Sequence, residues 1–184
     1  MTMRRWDEQT RSYEPFSPGA REYPPLSEQM RAQLERIPPV SNGMMKYRPC
    51  KVRLKDGTWQ DFVYVVEAND YIRVWGVWPD QDKGKREVRI EDVEEVAESP
   101  SRLPPALAQR LYEAGESGMG YVLFEVSYGD GSRSAHLSGN AVDFIQLPDG
   151  KTPQDIVSVH PHAGREARDR LSGQEYYWCL FSKA

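Results

Sequence analysis

The sequence predicts a mainly β protein of the α+β class, with two short helices and one structural unit that occurs twice. Fourteen prolines and fourteen glycines among 184 residues indicate many turns, and a hydrophobic content of 39% is enough for a core. A short segment also occurs twice, as Val-Arg-Leu-Lys-Asp-Gly-Thr at 52–58 and as Val-Ser-Tyr-Gly-Asp-Gly-Ser at 126–132. Both copies are alternating strands that run into an Asp-Gly turn, the strongest local signal for a β-hairpin.

The sequence around the two hairpins matches as well. Asp-Tyr-Ile at 70–72 corresponds to Asp-Phe-Ile at 143–145, and Asp-Val at 92–93 corresponds to Asp-Ile at 155–156. The spacing between matching positions falls from 74 residues at the turns to 63 at the last pair, as expected if the second copy has lost loop residues. We therefore predict an internal duplication of a helix followed by a five-stranded small β-barrel.

Four parts of the chain follow from this pattern. Residues 1–25 are predicted to be an extended or disordered N-terminal arm, because they are polar, proline-rich and without periodicity. The first helix and barrel occupy 26–98, and the second helix and barrel occupy 99–163. A linker and an aromatic C-terminal strand make up 164–184.

Each unit begins with a helix whose ends are marked in the sequence. The first is predicted over 27–36, with Ser27 as its N-cap and Pro38-Pro39 after its end. The second is predicted over 105–114, with proline in its first turn and Gly115 after its last residue.

The strand registers follow from the turns. A three-residue loop at 55–57 pairs Leu54 with Thr58 and puts Val52 on the same face as Tyr64. In the second unit, a two-residue Asp130-Gly131 loop aligns Phe124 with Leu137. The remaining strands are predicted at 71–78, 87–96, 142–147 and 155–160.

The C-terminal residues 176–181 are apolar on both faces of an extended strand. Tyr176, Trp178 and Leu180 alternate with Tyr177, Cys179 and Phe181. A strand exposed on either face would leave a large apolar patch. We therefore predict that it joins the edge of one barrel and is covered by the arm or by a second subunit.

The order of these features resembles the Sm-like small β-barrel. It consists of a helix, Val-x-Leu-x-Asp-Gly, a long strand, Tyr-Ile-x-Val and a closing Ile-x-x-Val strand. Residues 27–96 follow this order, and 105–160 follow a shortened version. Sm proteins that bind RNA carry asparagine where this chain has Tyr71 or Phe144, and their late Arg-Gly pair has no counterpart here. The resemblance therefore implies the fold and no RNA site.

Composition excludes some classes of protein. The net charge of −4 argues against a dedicated nucleic-acid binder, although residues 46–90 carry +3 and residues 116–162 carry −4. Such opposite charges favour association of the units within or between chains. Two cysteines give neither a disulfide framework nor zinc spacing, and no apolar stretch has membrane length. We expect a cytoplasmic protein with no membrane association.

We predict a non-enzymatic protein-binding or scaffolding protein, with a protein partner or self-association as an oligomer and without cofactors. Aromatic side chains of the barrel and of the C-terminal strand are the candidate partner-binding residues. They are Trp59, Tyr71, Trp75, Trp78, Tyr176, Tyr177, Trp178 and Phe181.

Two alternatives remain open. Cations interleaved with aromatic residues suit single-stranded RNA, and the candidate contacts are Lys51, Arg53, Lys55, Lys83, Lys85 and Arg86. A metal-dependent enzyme is the other alternative, because His160 and His162 would lie on one face of a strand. Pro161 between them favours an exposed edge, and the apolar neighbours of Cys179 favour a buried thiol. We therefore assign no catalytic, cofactor or metal site.

Overall fold

The computed structural model describes residues 3–82 and 84–183. In this part of the chain the protein is mixed α/β and mostly β. The elements are β1 (Met3–Asp7), β2 (Ser12–Phe16), α1 (Glu28–Glu35), β3 (Val40–Asn42), β4 (Met45–Leu54), β5 (Trp59–Glu67), α2 (Ala68–Trp75), β6 (Arg86–Glu87), β7 (Val93–Ala97), α3 (Pro105–Ala114), β8 (Val122–Tyr128), β9 (Arg133–Ser138), β10 (Ile156–Pro161) and β11 (Tyr177–Phe181).

The strands form two main sheets and one separate hairpin. The larger sheet has the order β3-β4-β5-β11-β6, and β7 pairs with the last residues of β4, at 51–54. The smaller sheet has the order β10-β8-β9, and β1 pairs with β2 alone. Neither main sheet closes into a barrel within the described residues, so an Sm-like relationship stays a prediction.

Both Asp-Gly hairpins adopt the same three-residue loop. In the first, the Leu54 amide donates to the Thr58 carbonyl over 2.8 Å, as predicted, and Gly57 has a φ of 87°. In the second, the Tyr128 amide donates to the Ser132 carbonyl over 3.0 Å. The predicted two-residue loop is therefore wrong.

The aspartate side chain stabilises the three-residue loop in both hairpins. Asp130 Oδ1 accepts hydrogen bonds from both the amide and the hydroxyl of Ser132, as Asp56 does from Thr58. The extra loop residue shifts the register by one, so Phe124 pairs with His136.

The predicted register of the first hairpin is wrong beyond Gln60, because a β-bulge shifts the pairing. Phe62 has a φ of 59°, and the pairing moves from Val52 with Gln60 to Cys50 with Val63. The extra residue puts Val52 on the face of Val63, and Tyr64 lies on the opposite face. One sheet face therefore packs on α1, and the other carries the aromatic core.

Three predicted strands are wrong wholly or in part. Residues 71–78 contain most of α2, because the Glu67 carboxylate caps its start and Gly76, with a φ of 67°, ends it. Residues 142–147 form a buried irregular segment with a single bridge from Phe144 to Arg102. A 3-10 turn at Ile90–Asp92 splits the strand predicted over 87–96. The two helices predicted from their caps are confirmed, α3 with identical bounds.

The two halves share a local arrangement. In the first half β4 lies between β5 and β7, and in the second half β8 lies between β9 and β10. A 3-10 turn precedes both β7 and β10, and the pairing shifts by one residue at the start of each. The helix α1 packs on β7, as α3 packs on β10. An internal duplication requires such correspondences.

The C-terminal strand joins the larger sheet beside β5, but it lies between β5 and β6 and not at the predicted edge. It runs parallel to both β5 and β6, and Trp178, Cys179 and Leu180 are fully buried. Its alternate side chains contact the two faces of the larger sheet, as their spacing predicted.

The N-terminal arm is more ordered than predicted. It contains the β1-β2 hairpin, in which Trp6 and Tyr13 stack edge to face with ring centroids 5.2 Å apart. The rest of the arm lies against the larger sheet. There Gly19 accepts a hydrogen bond from the indole of Trp78, and Pro24 accepts one from the Ser182 amide, next to β11.

Candidate binding sites at the junction of the sheets

An apolar groove lies between α2, α3 and the turn that joins β3 to β4. Its volume is about 560 Å³, and we call it the apolar groove. Met44, Val74, Leu111 and Val122 are among the apolar residues that line it. Met44 is 68% exposed and Val74 is 41% exposed, although both are large hydrophobic residues. The groove therefore offers apolar surface to water beside α2 and α3.

A buried polar network lies behind this groove, between the two halves. The Tyr47 hydroxyl donates to the Tyr112 hydroxyl over 2.5 Å, and Tyr112 donates to Asp143 Oδ2 over 2.5 Å. The amide of Asp143 donates to the Tyr64 hydroxyl over 3.2 Å. Burial raises the pKa of all three tyrosines, so they remain neutral hydrogen-bonding groups. Four separate segments thus share one hydrogen-bond network around Asp143.

Asp143 is fully buried, and its second carboxylate oxygen has no hydrogen-bond partner in the described part of the chain. Burial raises its pKa from 3.8 to about 6, against the opposing effects of Tyr112 and of the Arg102 cation. Arg102 is also buried, and burial lowers the pKa of its guanidinium. The predicted boundary between the units, at 99–103, is mostly buried. It is tied to the second unit, because the Leu103 amide donates a hydrogen bond to the Asp143 carbonyl.

The ionisation of Asp143 is expected to make the protein less stable as the pH rises from about 4 to about 7. The folded state binds this proton more tightly than the unfolded state, so stability is greatest below the unfolded pKa and falls through the folded pKa. A rise from 3.8 to about 6 corresponds to roughly 3 kcal/mol. Denaturant unfolding at several pH values should show this fall in the wild type. The free energy of unfolding should fall less with pH in Asp143→Asn. Parallel pH profiles of the two proteins would contradict the role of Asp143.

Most predicted partner-binding residues lie inside the protein. Tyr71, Trp78 and Trp178 are buried in the aromatic core. Trp75, Tyr176, Tyr177 and Phe181 are partly buried and pack against core clusters. Only Trp59 among the eight is largely exposed, at 45%, and Trp75 is the one that lines the apolar groove.

Three of the six predicted nucleic-acid contacts form ion pairs with carboxylates. Arg53 pairs with Glu94 and Glu95, Lys85 with Asp82, and Arg86 with Glu175. Lys85 is almost fully buried and its ammonium lies 3.8 Å from the centre of the Trp75 ring. The Lys51 ammonium lies over the Trp59 ring. Lys55 is exposed in the hairpin loop, and Lys83 lies outside the described residues.

The histidines and cysteines are engaged in local structure. His160 Nε2 lies 2.8 Å from Ser127 Oγ, and His162 Nδ1 lies 2.8 Å from Ser117 Oγ. His136 stacks on Phe124, and burial lowers its pKa to about 4. Both cysteine thiols are buried, which raises their pKa. Across residues 3–82 and 84–183, no three His, Cys, Asp or Glu side chains are grouped as metal ligands would be.

Apart from Trp75, the residues of the apolar groove and the polar network were not predicted as site residues from the sequence. Asp143 carried one signal, because it is a single carboxylate within the apolar run 141–147. Nothing in the sequence indicated that Tyr47, Tyr64 and Tyr112 would meet it.

The search against protein-family models, curated proteins and solved structures finds no match for this chain. None of the helices within the described residues is long and apolar enough to cross a membrane.

Proposed function

We propose that this chain is a non-enzymatic protein-binding or scaffolding protein, and that the apolar groove receives a partner segment with large aliphatic or aromatic side chains. This proposal rests on the exposure of Met44 and Val74 at the rim of the groove. Contiguous apolar surface exposed to water commonly marks an interaction site. Methionine suits such a site because its unbranched side chain adapts to different partners.

The internal duplication belongs to the same proposal. Two related units, joined through the Tyr–Asp network, would form a rigid frame that holds α2 and α3 at a fixed distance. A preformed groove reduces the entropy lost on binding, so a short apolar segment suffices for affinity. A cytoplasmic location remains part of this proposal.

Single-stranded RNA binding is the second candidate, and one observation favours it. The Lys51 ammonium lies 4.6 Å from the centre of the exposed Trp59 ring, which joins a stacking surface to a cation. RNA retention that falls with salt and is lost in Trp59→Ala would select this candidate.

Val74→Glu is expected to weaken binding of apolar peptides at least tenfold, because it puts a charge at the rim of the groove. Twelve-residue peptides selected by display on the wild-type protein serve as the probe, and their affinities are measured by fluorescence anisotropy. The matched control is Val157→Glu, since Val157 is 61% exposed and lies outside the groove.

The control variant should bind the peptides as the wild type does. The proposed groove would be contradicted if the selected peptides lacked large apolar side chains. It would also be contradicted if they bound Val74→Glu and the wild type with equal affinity. An unchanged melting temperature of Val74→Glu shows that the loss of binding is local.

A further inference from the structure

A second groove, of about 610 Å³, lies between the two halves on a different part of the surface. We call it the junction groove, and the N-terminus of α3 opens into it at Pro104 and Pro105. The helix has no side-chain N-cap and no acidic residue in its first turn. The N-terminus of a helix carries a partial positive charge and attracts anions. This end of α3 therefore lacks the negative group that usually neutralises it.

A buried cation lies at the same place. Arg102 lines the junction groove and is 4% exposed. Its Nη2 donates to the Pro38 carbonyl over 2.8 Å, but Nε and Nη1 have no hydrogen-bond partner among the described residues. No described carboxylate lies within 4 Å of this guanidinium, and Asp143 and Glu98 attract it from farther away. Because water screens a buried charge poorly, the part of its field that these carboxylates leave uncancelled extends into the groove.

Two lysines line the groove beside this arginine, and aromatic rings hold both. The Lys51 ammonium lies over Trp59, and the Lys151 ammonium lies 5.0 Å from the centre of the Tyr128 ring. Lys151 also pairs with Asp130, whereas Lys51 forms no ion pair with the residues that the structure describes. Glu98 is the one acidic residue among those that line the groove. Lysines already held in place lose less entropy when they bind an anion.

We propose that the junction groove binds the phosphate group of a small organic phosphate, in front of α3 and between Lys51 and Lys151. A dianion suits a site with several positive groups and few acids, and phosphate oxygens accept the charge-assisted hydrogen bonds that lysines donate. The organic part would contact Pro100, Leu103 and Pro153, which give the groove apolar walls. This site is separate from the apolar groove and does not depend on it.

Inorganic phosphate is the first probe, titrated against the full chain by isothermal calorimetry at constant ionic strength set with sodium chloride. We expect saturable binding that Lys51→Met weakens about tenfold, since it removes a charged donor and keeps the apolar stem on Trp59. The matched control is Lys55→Met, because Lys55 is an exposed lysine of the same hairpin outside the groove. Val74→Glu, which tests the apolar groove, should bind phosphate as the wild type does.

If the titration with phosphate shows no saturable heat beyond that of a titration with sodium chloride, the proposed phosphate site is wrong. Equal weakening by Lys51→Met and Lys55→Met would overturn it as well, because it would show that only net charge matters. Glycerol phosphate and adenosine monophosphate then test the organic part. At least one should bind more tightly than inorganic phosphate, and weaker binding of both would overturn the apolar contacts.

Discussion

Replacement of Trp178 by alanine is expected to lower the free energy of unfolding by about 3–5 kcal/mol. The side chain is fully buried at the centre of the aromatic core. Its ring centroid lies 5.2 Å from those of Tyr64 and Tyr71 and 5.8 Å from that of Tyr47. The truncation would leave a cavity that these rigid rings cannot fill by small shifts. Urea unfolding followed by tyrosine fluorescence and circular dichroism measures the loss.

The matched control is Trp59→Ala, because Trp59 is 45% exposed and lies outside the core clusters. It should cost no more than about 1 kcal/mol. Similar losses in the two variants would show that the aromatic core does not depend on Trp178.

Deletion of residues 174–184 should have a larger effect than the point substitution. The deleted segment donates amide hydrogen bonds from Gln174 to Leu137 and from Ser182 to Pro24, and the Trp178 carbonyl accepts one from Val88. It therefore connects the smaller sheet, the N-terminal arm and the larger sheet. Loss of the folded state or aggregation is expected. A soluble truncated protein with an unchanged melting temperature would contradict the structural role of β11.

The sequence allowed β11 to be predicted because its signal is local. Six consecutive apolar residues admit one arrangement, a strand covered on both faces, and the structure has it. The bounds of α3 could also be predicted, since proline and glycine mark its ends. Residues 71–74 include tyrosine, isoleucine and valine, which favour strands, yet they are helical because Glu67 and Gly76 cap the segment. Local capping was stronger than this preference.

The polar network and both grooves could not be predicted, because their residues come from distant segments. Asp143 meets tyrosines from β4, β5 and α3, and only the packing of the two sheets brings them together. The predicted registers of the two hairpins were wrong by one residue, also because alternation does not specify the local geometry. Each depended on the geometry of a turn or bulge, at Asp130 and at Phe62, that alternation alone does not determine.

Replacement of Arg102 by methionine is expected to cost about 3–5 kcal/mol at pH 7.5, because it leaves the buried Asp143 carboxylate without its nearest cation. Attraction to Arg102 opposes the burial that raises the pKa of Asp143. Without the arginine this pKa rises further, and the folded state then needs a protonated carboxyl group. The loss should therefore shrink between pH 7.5 and pH 5, as measured by urea unfolding at each pH.

The double variant Arg102→Met, Asp143→Asn separates the lost charge pair from lost packing. It removes both buried charges, so it should be more stable at pH 7.5 than Arg102→Met alone, although the bond to the Pro38 carbonyl is lost in both. Its stability should also change little between pH 5 and pH 7.5. Strictly additive losses, or a loss in Arg102→Met that does not vary with pH, would show that the two charges are not coupled. The junction would then be held by packing around Leu103 and Phe144, both of which are buried there.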